Sequence, residues 1–283
     1  MSSSSDMQEW EEVACNLCSS STNSLWAVKD GYRIVRCREC SLIYVNPRPV
    51  AKAIQEHYDE AYFLKHSAGL LAQQRMKMYQ IEIGDFEKVV PRGRILDLGC
   101  GGGFLLNTLG NHWEKYGVEV NPSAAEFARK HFGLKVTTGT FQEAHFSDEF
   151  FDVVEIRGVI EHLPDPKEVL LEAHRVLKKG GIVSINTPNI GSFVARLYKE
   201  KFGLVEPPVH IYYFSTKTIS RMLEAIGFRV VKKSFFYTKT PYASWTDPLK
   251  IMIDLFRLAF VRKTNFESPP FFRNVINIYG AKE

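Results

Sequence analysis

The last two thirds of the chain alternate between short apolar runs and amphipathic segments. Apolar runs with the length of buried strands lie at 94–98, 116–119, 135–138, 151–156, 181–186, 228–237 and 274–282. Helices are predicted between them, for example from Phe104, at 167–178 and at 216–226. Strands that alternate with helices favour an α/β fold, here a doubly wound sheet with one strand for each apolar run.

A glycine-rich turn follows the first of these strands. The turn carries Asp97, Gly99, Gly101 and Gly103 at alternate positions. Dinucleotide-binding loops instead have the pattern G-x-G-x-x-G. A carboxylate at this strand end disfavours an anionic pyrophosphate and favours a ligand with a cationic amino group. The turn therefore predicts binding of S-adenosylmethionine.

Further cofactor contacts are predicted at the ends of the next two strands. Glu119 ends the second strand, where its carboxylate can accept both hydroxyls of a ribose, and a purely structural Glu119 is the alternative. Phe141 follows the third strand and is the predicted adenine contact. The predicted cofactor-binding residues of the sheet are Asp97, Gly99, Cys100, Gly101, Gly103, Glu119, Val120, Thr140 and Phe141.

Two Cys-x-x-Cys pairs precede the alternating region, with a spacing that is typical of a four-thiolate zinc site. They consist of Cys15, Cys18, Cys37 and Cys40. Two β-rich runs between the pairs meet at Asp30-Gly31, which predicts a hairpin that brings the pairs together. We therefore predict a zinc ribbon over 13–47, in which four thiolates leave no place for water and the metal is structural. Unrelated buried cysteines or a redox pair are the alternative.

A helical bridge over 48–90 is predicted to join the ribbon to the alternating region. Pro47 and Pro49 cannot continue a strand, and the residues after them follow a helical pattern. Tyr58 and Tyr62 either pack the bridge onto the next domain or cover the cofactor as a lid. Both tyrosines are therefore candidate cofactor-binding residues.

Several segments together resemble a known family. ILDLGCGGG, VEVNPSA, FDVV, IEHLPDP and LKKGGIVSINTPN resemble class I methyltransferases, and ubiquinone-biosynthesis O-methyltransferases in particular. The paired cysteines, LIYVNPRP and PPVHIYYFS resemble zinc-bound methyltransferases of bacterial glycan and natural-product pathways. The resemblance implies the strand order 3-2-1-4-5-7-6 and a methyltransferase domain over 91–283. Two departures are Thr140, where many relatives have an acidic residue, and the lack of room for the second domain of sugar C-methyltransferases.

Methyl transfer to a hydroxyl needs a base, and two histidines are candidates. His162 lies in the loop after the fourth strand, and His210 lies in the aromatic segment after the fifth. A helix-entry role for His162 and a buried, hydrogen-bonded role for His210 are the structural alternatives. Glu161 is predicted to brace the loop.

An insertion over 239–272 separates the last two strands. Its predicted helix, 247–262, is apolar over most of its circumference, with Lys250, Asp254 and Arg257 in a polar stripe. Such a helix can pack against the protein body or a dimer partner, lie on a membrane surface, or line an apolar acceptor pocket. The oligomeric state, monomer or homodimer, is left open by the sequence.

The net charge and the apolar runs also bear on the possible partners and the location of the protein. The formal net charge is only +4 and the charges are interspersed, which disfavours nucleic acid as a partner. Residues 1–12 lack the apolar core of a secretory signal and are predicted to be a flexible tail. A cytoplasmic protein with reduced cysteines is expected, because no apolar run is long enough to span a bilayer.

The predicted function is methylation of a small-molecule acceptor with S-adenosylmethionine. The resemblance favours O-methylation of a sugar, a glycan-linked compound or a secondary metabolite. An RNA methyltransferase is one alternative, although the ribbon offers only Lys29, Arg33, Arg36 and Arg38 for RNA. A non-enzymatic ribbon adaptor with a degenerate fold is the other.

Overall fold

The structure is a computed structural model that describes residues 10–51, 69–235, 241, 243–260 and 273–283. Tyr58 and Tyr62 therefore lie outside the described residues, and their predicted lid role stays a prediction. The strands that precede the first helix are β1 (Trp10–Glu11), β2 (Asn23–Lys29), β3 (Tyr32–Cys37), β4 (Ile43–Val45) and β5 (Arg48–Pro49).

The remaining strands form the main sheet, with one exception. They are β6 (Gly93–Leu98), β7 (Trp113–Glu119), β8 (Lys135–Thr138), β9 (Phe151–Arg157), β10 (Leu177–Pro188), β11 (Tyr212–Tyr213), β12 (Phe228–Ser234) and β13 (Val275–Lys282). All of them except β11 form one 7-stranded sheet in the order β12-β13-β10-β9-β6-β7-β8. The strands from β8 to β10 in this order are parallel, and β13 is antiparallel to both of its neighbours. This confirms the predicted fold class and strand order.

The helices are α1 (Gly69–Phe86), α2 (Phe104–Thr108), α3 (Pro122–Phe132), α4 (Pro166–Val176), α5 (Phe193–Tyr198), α6 (Thr216–Ile226) and α7 (Asp247–Phe260). Side-chain caps start several of them. The Asn121 side chain accepts from Ala124 N at the start of α3. Ser215 and Thr218 form a capping box at the start of α6, and Gly227 ends that helix with a positive φ. No helix of the described part has the length and hydropathy that crossing a bilayer requires.

The ribbon hairpin forms at the predicted turn. β2 and β3 pair antiparallel, and Asp30 and Gly31 between them both have positive φ. Such a turn matches the right-handed twist of the two strands. The ribbon is not self-contained, however, because β11 completes its sheet in the order β11-β4-β3-β2, with Tyr212 opposite Tyr44.

Side chains also join the ribbon to the main domain. Arg48 is buried, and its Nη1 donates to Pro164 O at 2.8 Å and to Tyr212 Oη at 3.0 Å. Asn16 donates to Asp165 Oδ1 at 2.8 Å and accepts from Lys167 N at 3.0 Å at the start of α4. The ribbon is therefore attached to the loop that follows β9 and to the strand that follows α5.

Three local expectations were wrong. Residues 10 and 11, assigned to the flexible tail, form β1. Pro49, which was expected to end a strand, forms β5 together with Arg48, with Trp10 opposite Pro49. Proline is tolerated there because each strand has only two residues and one partner. β10 begins at Leu177 instead of 181, with a register shift before Ile182. The predicted helix 167–178 accordingly ends at Val176.

Candidate active site

A cavity of about 740 Å³ lies at the carboxyl ends of the parallel strands. Its walls come from the turn after β6, the ends of β7 to β9, α1 and the segment before β11. The predicted residues that line it are Gly99, Cys100, Gly101, Glu119, Val120, Thr140, Phe141, His162 and His210. The volume lies in the range of small-molecule sites. Residues from distant parts of the sequence thus meet in one cavity.

The glycine turn exposes backbone to this cavity. Gly101 has φ +53° and nothing within 4 Å of the position that a Cβ would take, so the space beside its backbone stays open. Gly99 has φ +69°, and a Cβ there would lie 2.6 Å from Val159 Cγ2. Gly103 does not line the cavity, unlike the prediction. It precedes α2, where a Cβ would lie 2.5 Å from Leu134 Cδ1, so its role is packing.

Glu119 ties the glycine turn to the end of β7. Its Oε2 accepts from Gly101 N at 2.7 Å and its Oε1 accepts from Asn121 N at 2.8 Å. Burial raises the pKa of this carboxyl, and the backbone donors oppose the shift. Each carboxylate oxygen can accept a further hydrogen bond, so Glu119 can still bind hydroxyls in the cavity.

Asp97 lies deeper than predicted. It is 4% exposed and does not line the cavity, because it belongs to β6 itself and not to the turn. Burial raises its pKa to about 7, with Glu119 adding to the shift and Arg157 opposing it. A direct contact between Asp97 and a ligand in the cavity is therefore not supported by its position.

Thr140 lines the cavity at the position where many relatives have an acidic residue, and it is bound by the Glu143 carboxylate. Its Oε2 accepts from Thr140 N at 2.7 Å and from Thr140 Oγ1 at 2.9 Å. Phe141 lines the cavity and is otherwise buried in the core.

A buried ion pair in the cavity wall was missed by the sequence analysis. Arg157 Nε lies 2.5 Å from Glu82 Oε2, and Asn186 Nδ2 donates to Glu82 Oε1 at 3.2 Å. The Arg157 guanidinium also lies over the Tyr79 ring, 5.0 Å from its centroid. α1 therefore supplies part of the wall. The arginine at the end of the apolar strand FDVVEIR was the available signal.

Glu161, His162 and His210 lie together in the cavity wall. The rings of His162 and His210 are 4.7 Å apart, and His162 Nε2 is 3.9 Å from Glu161 Oε1. The Glu161 carboxylate is held by Thr187 Oγ1 at 3.0 Å, and its backbone carbonyl accepts from Ile211 N and Tyr212 N, as expected of a bracing residue. The ligand atoms of the three residues lie within 4.8 Å of one another, a set that could also hold a divalent ion.

Both histidine rings are held through Nδ1 by backbone carbonyls. His162 Nδ1 donates to Val209 O at 2.8 Å, and His210 Nδ1 donates to Leu204 O at 2.8 Å. Nε2 is therefore the basic nitrogen of each neutral ring. Burial lowers the pKa of His162 to about 4, against the opposing carbonyls of Val209 and Gly158. Burial and the neighbouring His162 lower the pKa of His210, while Glu161 opposes the shift.

Comparison with known proteins matches residues 70–233 to the family described as a methyltransferase domain. The chain belongs to this family. An uncharacterized protein of Methanocaldococcus jannaschii is 32% identical over 155 residues, which is 55% of this chain and 74% of that protein. A ubiquinone biosynthesis O-methyltransferase of a Shewanella species is 31% identical over 125 residues, which is 41% of this chain. The match spans about half of that relative, 53% of its length.

Solved structures show the same fold. A methyltransferase of Thermotoga maritima, described as a possible histamine N-methyltransferase, has a TM-score of 0.55 at 24% identity and covers 82% of this chain and 99% of its own. An S-adenosylmethionine-dependent methyltransferase of Archaeoglobus fulgidus has a TM-score of 0.53 at 22% identity. The match covers 78% of this chain and 99% of that protein. The methyltransferase thus has the class I S-adenosylmethionine-dependent fold.

The four paired cysteines of the methyltransferase lie together, as predicted. Cys15 Sγ is 3.3 Å from Cys40 Sγ, Cys18 Sγ is 3.5 Å from Cys37 Sγ, and all four sulfurs lie within 4.8 Å of one another. Four sulfurs at these distances fit the tetrahedral coordination of zinc.

Glu155 is a buried acid that does not line the cavity. It lies opposite Asp97 on the neighbouring strand, and its Oε2 has no hydrogen-bond partner among the described residues. Burial chiefly raises the pKa of this carboxyl from 4.5 to about 8. Between pH 4.5 and about 8, Glu155 therefore keeps its proton in the folded methyltransferase and loses it in the unfolded chain. The free energy of unfolding accordingly decreases as pH rises through this range.

Glu155→Gln is expected to make the methyltransferase more stable at pH 9, by about 2–4 kcal/mol, and to leave its stability at pH 5 nearly unchanged. The amide keeps the shape and removes the charge that burial disfavours. Urea unfolding at the two pH values checks this, with Glu126→Gln on the exposed part of α3 as the control. Equal effects of both substitutions at pH 9 would contradict the buried-charge explanation.

Proposed function

We propose that this methyltransferase transfers the methyl group of S-adenosylmethionine to a hydroxyl of a small acceptor, with His210 as the general base. The observation that carries the proposal is the placement of His210 and the glycine turn on the walls of one cavity. A methyl donor held by the turn and an acceptor held beside the histidine would lie in the same cavity. Alignment of the acceptor oxygen with the methyl group supplies much of the rate enhancement in such a site.

The cofactor half of the cavity fits the donor. Glu119 would accept the ribose hydroxyls, the open backbone at Gly101 would lie against the amino acid portion, and Phe141 and Val120 would contact the adenine. The Glu119 carboxylate gives this half an acidic character that suits a sulfonium ion. S-adenosylmethionine supplies the electrophilic methyl group when it is bound.

His210 is the better base of the two histidines. His162 Nδ1 donates to the Val209 carbonyl, and the pKa of about 4 that burial gives this ring makes it a weak base. Among the described residues only the Leu204 carbonyl hydrogen-bonds to the His210 ring, and the nearby Glu161 favours its charged form. Nε2 of His210 would accept the hydroxyl proton while the acceptor oxygen forms its bond to the methyl carbon. His162 would then position the segment that carries His210, through Val209.

A small acceptor fits the dimensions of the site. The cavity serves cofactor and acceptor together, which leaves room for a sugar, glycan-linked or secondary-metabolite hydroxyl. The O-methyltransferases among the relatives support oxygen as the methylated atom. The ribbon's contacts with the main domain make RNA a weaker candidate, since the pairing of β4 with β11 and the hydrogen bond from Lys29 Nζ to Val205 O at 2.5 Å cover part of the ribbon surface.

Zinc at the four cysteines would have a structural role. Four thiolates complete its tetrahedral coordination, so no position remains for water or substrate. Zinc would hold the loop before β2, with Cys15 and Cys18, to the end of β3 and the turn after it, with Cys37 and Cys40. The ribbon would then support β11 and the cavity wall next to it.

Calorimetry with S-adenosylmethionine and with NAD tests the cofactor assignment. The native protein is expected to bind the first and not the second. Glu119→Gln is expected to weaken S-adenosylmethionine binding about 10- to 100-fold, because charge-assisted hydrogen bonds to the ribose are lost. Glu114→Gln, at the opposite end of β7, is the matched control and should bind as the native protein does. Tight NAD binding, or native affinity in Glu119→Gln, would contradict the assignment.

Transfer of a labelled methyl group into fractionated small-molecule hydroxyl compounds tests the reaction itself. Label is expected in an ether product, and its appearance should depend on His210. Label that appears only in RNA or only at nitrogen would contradict the proposed acceptor class.

A further inference from the structure

α7 has an unusual distribution of polar and apolar side chains. Its buried stripe consists of Asp247, Ile251 and Asp254, at helical spacing. Its exposed large apolar residues are Leu249, Met252, Ile253, Leu255 and Phe256, of which Met252 is 62% and Phe256 64% exposed. A surface helix normally turns its apolar residues inward and its acids outward. Apart from the buried Ile251, α7 has the reverse arrangement between Asp247 and Arg257.

The acids of α7 are held in the interior by specific partners. Tyr198 Oη of α5 donates a short hydrogen bond to Asp254 Oδ2. Asp247 Oδ2 accepts from Ser244 N at 2.8 Å, and Asp247 Oδ1 lies 3.1 Å from Lys250 Nζ. The Tyr198–Asp254 hydrogen bond, together with Ile251 in the core, fixes the rotation of the helix about its axis. The outward direction of the apolar face is therefore built into the packing.

The two cations of α7 lie at the edge of this face, each next to a buried acid: Lys250 Nζ is 3.1 Å from Asp247 Oδ1, and Arg257 Nη1 is 4.0 Å from Asp254 Oδ1. Between residues 245 and 257 the acids are buried, whereas Lys250 and Arg257, seven positions apart, keep about half of their side chains exposed. Trp245, just before the helix, is 90% exposed. Tryptophan, apolar side chains and a cationic flank together are typical of helices that lie in the interface of an anionic membrane.

We infer that the outer face of α7, formed by Leu249, Met252, Ile253 and Phe256, docks on the surface of an anionic lipid membrane. The helix has 14 residues and would lie in the plane of the interface, since this length is too short to span a bilayer. A second copy of the chain is a poorer occupant, because a twofold interface would bring the same cationic flank of two copies together. The inference does not depend on the methyl acceptor.

Co-sedimentation with vesicles tests this docking surface. The full chain is expected to bind vesicles of phosphatidylglycerol and phosphatidylcholine, and to bind pure phosphatidylcholine more weakly. Leu249→Gln combined with Met252→Gln is expected to weaken binding about tenfold or more, because both apolar side chains leave the interface. Lys250→Gln combined with Arg257→Gln should remove the preference for phosphatidylglycerol, as should high salt.

The matched control is Leu171→Gln, which replaces an exposed leucine on α4 and should bind vesicles as the native chain does. The thermal midpoint and S-adenosylmethionine affinity of each variant report whether the fold is retained. The inference is overturned if the native chain stays in solution with anionic vesicles, or if the α7 variant binds like the control. A dimer that the α7 variant abolishes, without vesicle binding, would assign the face to a second copy and would also overturn it.

Discussion

Replacing His210 by alanine is expected to lower kcat about 10²- to 10⁴-fold, with S-adenosylmethionine affinity unchanged. The ring lines the cavity, and its loss removes the group that would take the hydroxyl proton. Single-turnover transfer and calorimetry on the same preparation separate the two effects. His210→Gln provides a second variant, because its amide can still donate to Leu204 O.

The pH profile of the native enzyme checks the same assignment. A general base must be unprotonated, and burial with the neighbouring His162 lowers the pKa of His210 below its ordinary value of 6.5. The rate should therefore stay constant as pH falls to 6.5 and decline only below it. His162→Gln should change KM more than kcat, since His162 positions Val209 and the segment with His210. A native rate in both His210 variants, or an acid limb above pH 6.5, would contradict the role of His210.

Replacing Cys37 by serine is expected to release the metal and to lower the thermal midpoint by about 10 °C or more. One lost thiolate breaks a four-sulfur set whose members lie within 4.8 Å of one another. Because β4 pairs with β11, loosening of the ribbon should extend to the wall that carries His210. Methyl transfer should therefore fall more than cofactor affinity. Zinc content by atomic emission, thermal unfolding and calorimetry measure the three effects.

Cys100→Ser is the control for metal content, because Cys100 lines the cofactor cavity and lies outside the sulfur cluster. It should retain one zinc per chain. Full zinc content in Cys37→Ser would show that the four cysteines are not the metal site. Loss of zinc with native methyl transfer would show instead that the ribbon does not support the acceptor wall.

Local patterns in the sequence were enough to place most elements. Apolar periodicity predicted the seven strands of the main sheet, and the helix predicted at 216–226 is α6. The turn at Asp30-Gly31 and the cysteine spacing indicated the ribbon. Each of these signals arises from steric or hydrogen-bonding preferences within a few neighbouring residues, so it can be read without the fold.

Features that depend on contacts between residues far apart in the sequence could not be predicted from local patterns. Asp97 is buried because it lies within β6 and not in the turn that follows. The Arg157–Glu82 ion pair joins β9 to α1, and its two residues are 75 positions apart in the sequence. β11 has only two residues and no strand signal of its own, so its pairing with the ribbon follows from the packing of the whole domain.

By itself, the sequence determined the α/β class, the glycine turn, the paired cysteines and the two candidate histidines, because these follow from local propensity and from the chemistry of single side chains. The tertiary structure decided that the ribbon and the main domain share a sheet, which backbone carbonyl holds each histidine ring, and which face of α7 points outward. Those outcomes depend on hydrogen-bond partners and burial that arise only when segments far apart in the chain pack together.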